Sequence, residues 1–399
     1  MYRLCTALGM PQHRFASIHV VGTNGKSSVT RMTAAVLEAH GLAVGASVSP
    51  HTERWSERTL IGGEEIGAEP FAAAVERVAE AAETVNRGFG PGEEVSQFEV
   101  ATAAAFVAFA AAGVDVAVIE AGLGGRRDAT NTIPSRVTVL TSIGLDHAKW
   151  LGGTELEIAA EKLAVLRDYT ILVRGRVSSA VAALAERTAA ERGATLAVAP
   201  EDPGAGIELR APGAFQRRNF ALACTAVSLF LGELDEARVR EVAESLTVPG
   251  RLERVAGRPP AFVDVAHNLD GAAALAEALP ELAGGRPVIA CMTVLAEKDA
   301  ESMLRALAPA ISHLVATDPP RRAGGPIGRE MLGVSAGRRW RGAGELAAIA
   351  QAAGVEAEAV EDFAEALARA RDLALDRDAV LVVCGSNYIA APARAVLRD

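Results

Sequence analysis

Residues Gly22-Thr23-Asn24-Gly25-Lys26-Ser27-Ser28 stand between an apolar run, Ser17–Val21, and an amphipathic stretch, Ser28–His40, in which Val29, Met32, Val36 and Ala39 recur at helical spacing. A helix stop at Gly41 and a second β-like run, Leu42–Val48, complete a βαβ unit. This order restricts the fold sharply. Parallel strands joined through a helix need a sheet covered on both faces, and the turn between strand and helix then falls at the sheet's carboxyl edge. Glycines let the backbone approach closely, successive N–H groups and the positive end of the helix face an anion, and the Lys26 ammonium neutralises terminal phosphates. Gly-Lys-Ser by itself also fits a turn without a ligand. The strand before it and the helix after it favour a phosphate cradle, and the expected ligand is ATP. Counting back from Gly25, Val20 stands where the common phosphate loop has its first glycine, so this loop is a shortened variant.

The alternation continues along the chain. Val114–Ile119, Val137–Ile143 and Thr170–Val173 read as strands, with helices over Phe71–Val85, Gln97–Ala112, Glu155–Leu166 and Ser178–Glu191. Val114–Ile119 is apolar apart from Asp115, as a central strand requires. A second cycle follows Val248-Pro249-Gly250-Arg251. Its strands are expected at Ala261–Val265, Pro287–Cys291, His313–Thr317 and Val380–Val383, and its helices at Leu269–Leu279, Ala300–Leu307, Gly344–Ala352 and Asp362–Leu375. No second phosphate loop accompanies it. The predicted architecture is α/β: a P-loop ATPase domain with a mainly parallel sheet over residues 1–255, and a smaller Rossmann-like α/β domain over 256–399. Pro319–Gly328, rich in Pro, Gly and Arg, reads as a surface loop.

Half of the residues are hydrophobic and only 4 % are aromatic, so Ala, Val, Leu and Gly supply the apolar mass, as in helices packed on parallel sheets. A formal net charge of −10 argues against nucleic acid or an anionic membrane as the main partner. Cys5, Cys224, Cys291 and Cys384 are far apart and form no C-x-x-C pair, which predicts reduced, mostly buried thiols and neither a disulfide framework nor a zinc site. No leader pattern opens the chain, and the longest apolar stretch, Val100–Val114, is shorter than a bilayer span. A soluble, cytoplasmic protein is expected.

Three polar clusters fall at predicted strand ends, where open α/β sheets bind ligands: Ser49-Pro50-His51, Glu120 with Gly122-Leu123-Gly124-Gly125, and Asp146-His147. Each alone could cap a strand. Their shared location favours a magnesium site in which Ser49, Glu120 and His147 offer a hydroxyl, a carboxylate and an imidazole. Glu161-Lys162, inside a helix with Leu156, Ile158, Leu163 and Leu166, reads on its residues alone as an exposed charge pair. Asp264-Val265-Ala266-His267-Asn268 ends a strand of the second domain, with Arg251 at the hinge. That set could grip an amino acid, whose ammonium needs a carboxylate and whose carboxylate needs a cation, or could be ordinary strand-end polar groups.

Taken in order, Gly22–Ser28, Ser49-Pro50-His51, Gln97-Phe98-Glu99, Glu120 through Asn131, Gly144-Leu145-Asp146-His147, Glu161-Lys162, Pro249-Gly250-Arg251-Leu252-Glu253 and Asp264–Asn268 resemble the folylpolyglutamate synthase/dihydrofolate synthase family, ATP-dependent amide ligases of the Mur-ligase superfamily. The resemblance runs from about Leu8 to Tyr388, and Gly-Leu-Gly-Gly-x-x-Asp-Ala-Thr-Asn is its most specific segment. It implies that Gly22, Thr23, Asn24, Gly25, Lys26, Ser27 and Ser28 hold the ATP phosphates and that Ser49, Glu120 and His147 ligate Mg2+. It implies two magnesium ions, one of them bound through a carbamylated Lys162, which replaces the surface charge pair. Asn219 would contact the nucleotide base, Arg251, Asp264 and His267 would lie near the γ-phosphate and the incoming glutamate, and Ser49–Arg58 would line the pterin side. The catalytic set is then Lys26, His147, Lys162, Arg251, Asp264 and His267.

The implied reaction joins L-glutamate to dihydropteroate, to a reduced folate, or to both. A carboxylate oxygen leaves poorly, so ATP first converts the acid to an acyl phosphate, which the glutamate amine attacks through a tetrahedral oxyanion. The resemblance implies a monomer acting on small molecules. Departures from the family pattern are Ser27 for a glycine, Thr52 for an apolar residue, Phe215 for a histidine and Val265 for a glycine. The stretch of 21 residues before Gly22 is shorter than the family's, so an upstream start or a reduced N-terminal flap is expected. Two other readings compete: a Mur-type ligase acting on a cell-wall precursor, and a catalytically silent ATP-binding protein.

Overall fold

The computed structural model describes residues 1–204, 206–319 and 339–397. Its backbone divides into two compact units, one of Met1–Leu209 with Arg217–Leu246, the other of Thr247–Asp399 with the short segment Arg210–Gln216. Both are α/β, and both sheets are mainly parallel.

In the first unit the strands are β1 (Ala16–Val21), β2 (Val44–Ser47), β3 (Thr59–Ile61), β4 (Glu64–Glu65), β5 (Val116–Glu120), β6 (Val137–Leu140), β7 (Ile171–Arg174) and β8 (Thr195–Val198). They lie side by side in the order β4-β3-β2-β5-β1-β6-β7-β8. From β2 to β8 all neighbours are parallel; β3 and β4 add an antiparallel edge. β5 and β1 are central, and all five residues of β5 are buried. The chain leaves β1 and crosses β5 to reach β2, whereas β6 pairs on the other side, so the turn after β1 sits where strand order reverses.

Local signals explain the helices that flank this edge. Gly25, in the left-handed region at φ 83°, starts the helix Lys26–Ala39, and Val29, Met32, Val36 and Leu37 bury its inner face. Ser96 caps Gln97–Ala112 and Thr154 caps Glu155–Leu163, each in a reciprocal capping box with the glutamate three residues on. Ala159 and Leu163 of the latter helix pack with Val21, Ala121 and Leu140, which carries its last turn beneath the carboxyl ends of β1 and β6.

The second unit holds β9 (Glu253–Ala256), β10 (Ala261–Val263), β11 (Val288–Met292), β12 (His313–Ala316), β13 (Glu356–Ala359) and β14 (Val380–Cys384), ordered β13-β12-β11-β14-β10-β9. Among the described strands of this unit, only β9 is antiparallel to its neighbour. Two apolar clusters cover the faces of this sheet, one around Leu275, Met303 and Leu346, the other around Phe363, Leu367 and Ile389.

Several elements differ from the sequence reading. The helix expected over Leu269–Leu279 runs on through Pro280 to Ala283 and closes on Gly284 at φ 57°. The helices Ala214–Leu231 and Glu236–Ser245, the edge strands β3, β4, β8, β9 and β13, and both terminal helices lie in segments assigned no element. The edge strands are short, and the side chains of β13, Glu-Ala-Glu-Ala, carry no apolar β-branched signal. Beyond Pro319, the expected loop Pro319–Gly328 lies outside the described residues. All four cysteines are free, and Cys5, Cys291 and Cys384 are buried. Among the described residues no helix is long and apolar enough to cross a membrane.

Candidate active site

The phosphate loop is clamped from β6. Thr23 N–H donates to Ser142 O at 2.7 Å, Asn24 N–H to Ser142 Oγ at 3.1 Å, and Thr141 Oγ1 to Asn24 O at 2.6 Å. Two glycines are required by this packing. A Cβ on Gly22 would lie 1.9 Å from Thr141 Oγ1, and one on Gly25 would lie 2.7 Å from the Asn219 side-chain oxygen. Asn219, expected from the family likeness to contact the base, therefore stands directly over the loop. Lys26 begins the following helix, and its Nζ donates to Thr23 O at 3.1 Å, folding the ammonium back over the turn.

Glu120, the last residue of β5, is 3 % exposed. Its Oε1 accepts from Ser27 Oγ at 3.0 Å and its Oε2 from Ser49 N at 2.9 Å. The carboxylate thus joins the phosphate loop to the turn after β2, and Ser27, the departure from the family glycine, supplies one of the two bonds. His147 has left-handed backbone (φ 54°), an N–H bonded to Asp146 Oδ1 at 2.8 Å, and Nε2 3.9 Å from the same oxygen. Among the described residues no group of three or more His, Cys, Asp or Glu gathers as a metal site. The expected set holds only two such side chains, and the Glu120 carboxylate with the Ser27 hydroxyl beside it offers hard oxygen donors of the kind that suit Mg2+.

Lys162 is no surface charge. It is 4 % exposed, and its Nζ donates to Gly22 O at 2.7 Å. Burial, then the nearby Lys26 ammonium, bring its amine down to about 7, against opposing pulls from Asp128, Asp146 and Glu161. Glu161 instead faces outward to Arg126, at 3.4 Å. A second feature escaped the sequence reading: a buried polar chain from β1. His19 Nε2 lies 2.8 Å from Thr130 Oγ1, which in turn bonds Asp128 Oδ1. Asp128 also accepts from Thr130 N at 2.9 Å and Leu123 N at 2.7 Å. His19 was legible only as an interruption in an apolar strand.

In the second unit, Asp264 follows β10 and is 4 % exposed. Its Oδ2 accepts from Leu252 N at 2.9 Å and its Oδ1 from Ala266 N at 2.8 Å. Burial raises its carboxyl above the usual range, while Arg251 and the two backbone bonds oppose that rise. Arg251 and His267 are the residues beside those two anchored positions. His267 Nδ1 donates to Val265 O at 2.9 Å. The turn is braced further by Glu253, which accepts from Gly250 N at 2.7 Å and from Arg394 Nε at 2.9 Å. Asn268 caps the next helix through Gly271 N at 2.8 Å.

Residues 250–387 match the Mur ligase, glutamate ligase domain family. Dihydrofolate synthase/folylpolyglutamate synthase of Mycobacterium tuberculosis is 36 % identical over 84 % of this chain and 77 % of its own length. A solved structure of the Mycobacterium tuberculosis folylpolyglutamate synthase complexed with ADP superposes with a TM-score of 0.88 at 32 % identity, covering 100 % of this chain and 94 % of that one. The bifunctional synthase from Yersinia pestis complexed with AMPPNP and Mn ion gives a TM-score of 0.81 at 28 % identity, covering 99 % of this chain and 92 % of that one. By this identity, coverage and shared fold, the chain belongs to the folylpolyglutamate synthase/dihydrofolate synthase family, ATP-dependent ligases with the Mur-ligase fold.

Proposed function

We propose that the chain joins L-glutamate to dihydropteroate, to reduced folates, or to both, using ATP and Mg2+. The observation that carries this reading is the gathering of Lys26, Ser27, Glu120 and Lys162 on one clamped phosphate loop. Nucleotide and a divalent ion bound by similar solved structures support it. ATP supplies the phosphoryl group that turns a carboxylate into an acyl phosphate, and Mg2+ offsets charge on the transferred group.

The residues divide the work. The amides of Gly22–Ser28 and the Lys26 ammonium hold phosphate oxygens. Ser49, Glu120 and His147 are the proposed ligands of one Mg2+, and Lys162, as a carbamate, of a second. A neutral amine is the form that adds CO2, and the depressed basicity of Lys162 makes that form available near neutral pH. Asn219, over Gly25, is the proposed base contact. In the second unit Asp264 fixes the backbone on which Arg251 and His267 sit, the proposed contacts for γ-phosphate and glutamate. We propose a cytoplasmic monomer that acts on small molecules and binds neither nucleic acid nor membrane.

The test is a coupled assay of phosphate release with ATP, Mg2+ and glutamate, varying dihydropteroate, tetrahydrofolate and a UDP-linked cell-wall precursor. Release that depends on either pteroate acceptor is expected. Release with the UDP-linked precursor alone transfers the chain to the Mur-type reading, and release independent of all three acceptors sinks the ligase reading.

A further inference from the structure

Among the buried polar groups that the mechanism leaves unused is an imidazole, His19. It stands on the central strand β1, fully buried, three residues before Gly22. Its Nε2 lies 2.8 Å from Thr130 Oγ1, and its Nδ1 has no partner. The proton arrangement follows from the acceptors. Asp128 takes the Thr130 N–H and hydroxyl and the Leu123 N–H, so the hydroxyl hydrogen is spent on Asp128 and its oxygen accepts from His19 Nε2–H. An imidazole with one nitrogen in a bond and the other in a dry apolar setting stays neutral, and burial brings it down to about 3.

The far end of this chain leads back to the phosphate loop. Asp128 shapes the turn of residues 122–131, in which Asp128 N–H donates to Gly125 O at 3.0 Å. Gly125 lies flat on the end of the helix Glu155–Leu163: a Cβ there would meet Glu161 O at 2.5 Å and Lys162 O at 2.8 Å. Arg126 N–H donates to Glu161 O at 3.1 Å. Lys162 then returns to Gly22 O. Hydrogen bonds, completed by the close packing of Gly125 on the helix end and the Arg126–Glu161 backbone bond, make a closed circuit from β1 through Thr130, Asp128 and Lys162 to the residue that follows β1.

We propose that His19 and Thr130 are positioning residues that set where the Lys162 side chain stands against the phosphate loop, and so act on the phosphoryl-transfer step without touching nucleotide. Phosphate binding uses the loop N–H groups and Lys26, and the circuit meets that loop only at the Gly22 carbonyl oxygen. Breaking the circuit therefore lowers kcat while nucleotide affinity holds. The hydrogen-bond logic also fixes the rescuing side chain. Glutamine places an N–H donor where His19 Nε2 stands, and serine keeps the Thr130 hydroxyl.

The proposal rests on the ligase reading for its kinetic half only, so the experiment has two arms. In the first, native-state hydrogen exchange is followed at the amides of residues 22–23 and 161–163 in the full chain. Both segments exchange faster together in His19→Leu and Thr130→Val, but not in Val78→Ala, a core change in the helix Ala68–Asn86. In the second arm, His19→Leu and Thr130→Val lower kcat by about tenfold or more with ADP affinity held within about threefold, whereas His19→Gln and Thr130→Ser stay within about threefold of the unsubstituted chain. Unchanged exchange at both segments in folded His19→Leu and Thr130→Val overturns the circuit. Loss of ADP affinity in step with kcat, or a His19→Gln chain as impaired as His19→Leu, overturns the positioning role. An unsubstituted chain without acceptor-dependent turnover sinks the ligase reading and, with it, the kinetic role; the exchange arm then judges the circuit by itself.

Discussion

The amine of Lys162 donates a 2.7 Å hydrogen bond to the carbonyl oxygen of Gly22, across 140 residues of sequence. The helix end that carries Lys162 is thereby attached to the first residue of the phosphate loop. A buried amine so placed has a stability signature. Its folded-state value is about 7 against an ordinary 10.5, so between those values the unfolded chain binds the extra proton. Stability therefore rises with pH through that window and falls as pH drops toward 7. In CO2-free buffer, Lys162→Met is expected to flatten this component by about 1.4 kcal/mol per pH unit, read by urea unfolding at several pH values. Parallel curves for the two chains would contradict the neutral buried amine.

His19 gives the complementary acid-side prediction. It is held down to about 3 in the folded chain, against 6.5 ordinarily, so the unfolded chain takes up a proton between those values. Stability present above 6.5 is lost as pH falls toward 3, with a slope of about 1.4 kcal/mol per unit from this group. His19→Gln should remove that contribution while keeping the bond to Thr130. The check is the difference between the two chains' unfolding free energies from about pH 6.5 to 4.5.

Lys26 folds over its own loop, bonded to Thr23 O. Its replacement by alanine is expected to lower turnover by at least the roughly 10²-fold typical of one preorganised electrostatic group. Turnover at the unsubstituted level, measured with saturating ATP, would remove Lys26 from the reaction.

Glu120 accepts from Ser27 and from the Ser49 amide, one bond to each oxygen. Glu120→Gln keeps an acceptor oxygen for the Ser49 amide and turns its amide nitrogen to the Ser27 hydroxyl, which accepts, so it removes the negative charge while keeping both bonds. The Mg2+ concentration for half-maximal turnover should rise by about tenfold or more. A Mg2+ titration that coincides with that of the unsubstituted chain would take Glu120 out of the metal site.

Asp264 holds Leu252 and Ala266 by their amides. Asp264→Asn keeps one acceptor oxygen and strands one amide, at about 1–3 kcal/mol, because that N–H has no water to turn to. The glutamate KM should rise in the same variant, since the backbone under Arg251 and His267 loosens. Calorimetry and initial-rate kinetics on one preparation test both; an unchanged KM would separate Asp264 from glutamate binding.

Much of this was legible before any coordinates. The apolar runs Ser17–Val21 and Val114–Ile119 and the 3.6-residue period of Ser28–His40 are direct consequences of which side chains must leave water, so strand and helix announce themselves locally. The glycines of the phosphate loop and the ordered set of motifs from Gly22 to Asn268 likewise identify the family from residues alone. Short edge strands and the helices Ala214–Leu231 and Glu236–Ser245 stayed hidden, because tertiary partners choose their conformation.

What no local pattern held was the charge state and partner of the buried polar residues. Lys162 reads as one half of an exposed pair with Glu161, yet Ala159 and Leu163 draw its helix onto β1 and β6, and desolvation then leaves the amine with a backbone carbonyl to bond. His19 lies 111 residues from Thr130 along the chain, and it meets Thr130 and, through it, Asp128 only after β1 and the turn after β5 come together. Sequence determines which groups are available and which surfaces must be buried. Only the tertiary structure decides which polar groups lose water together, and it is this shared desolvation that sets their bonds and their basicity.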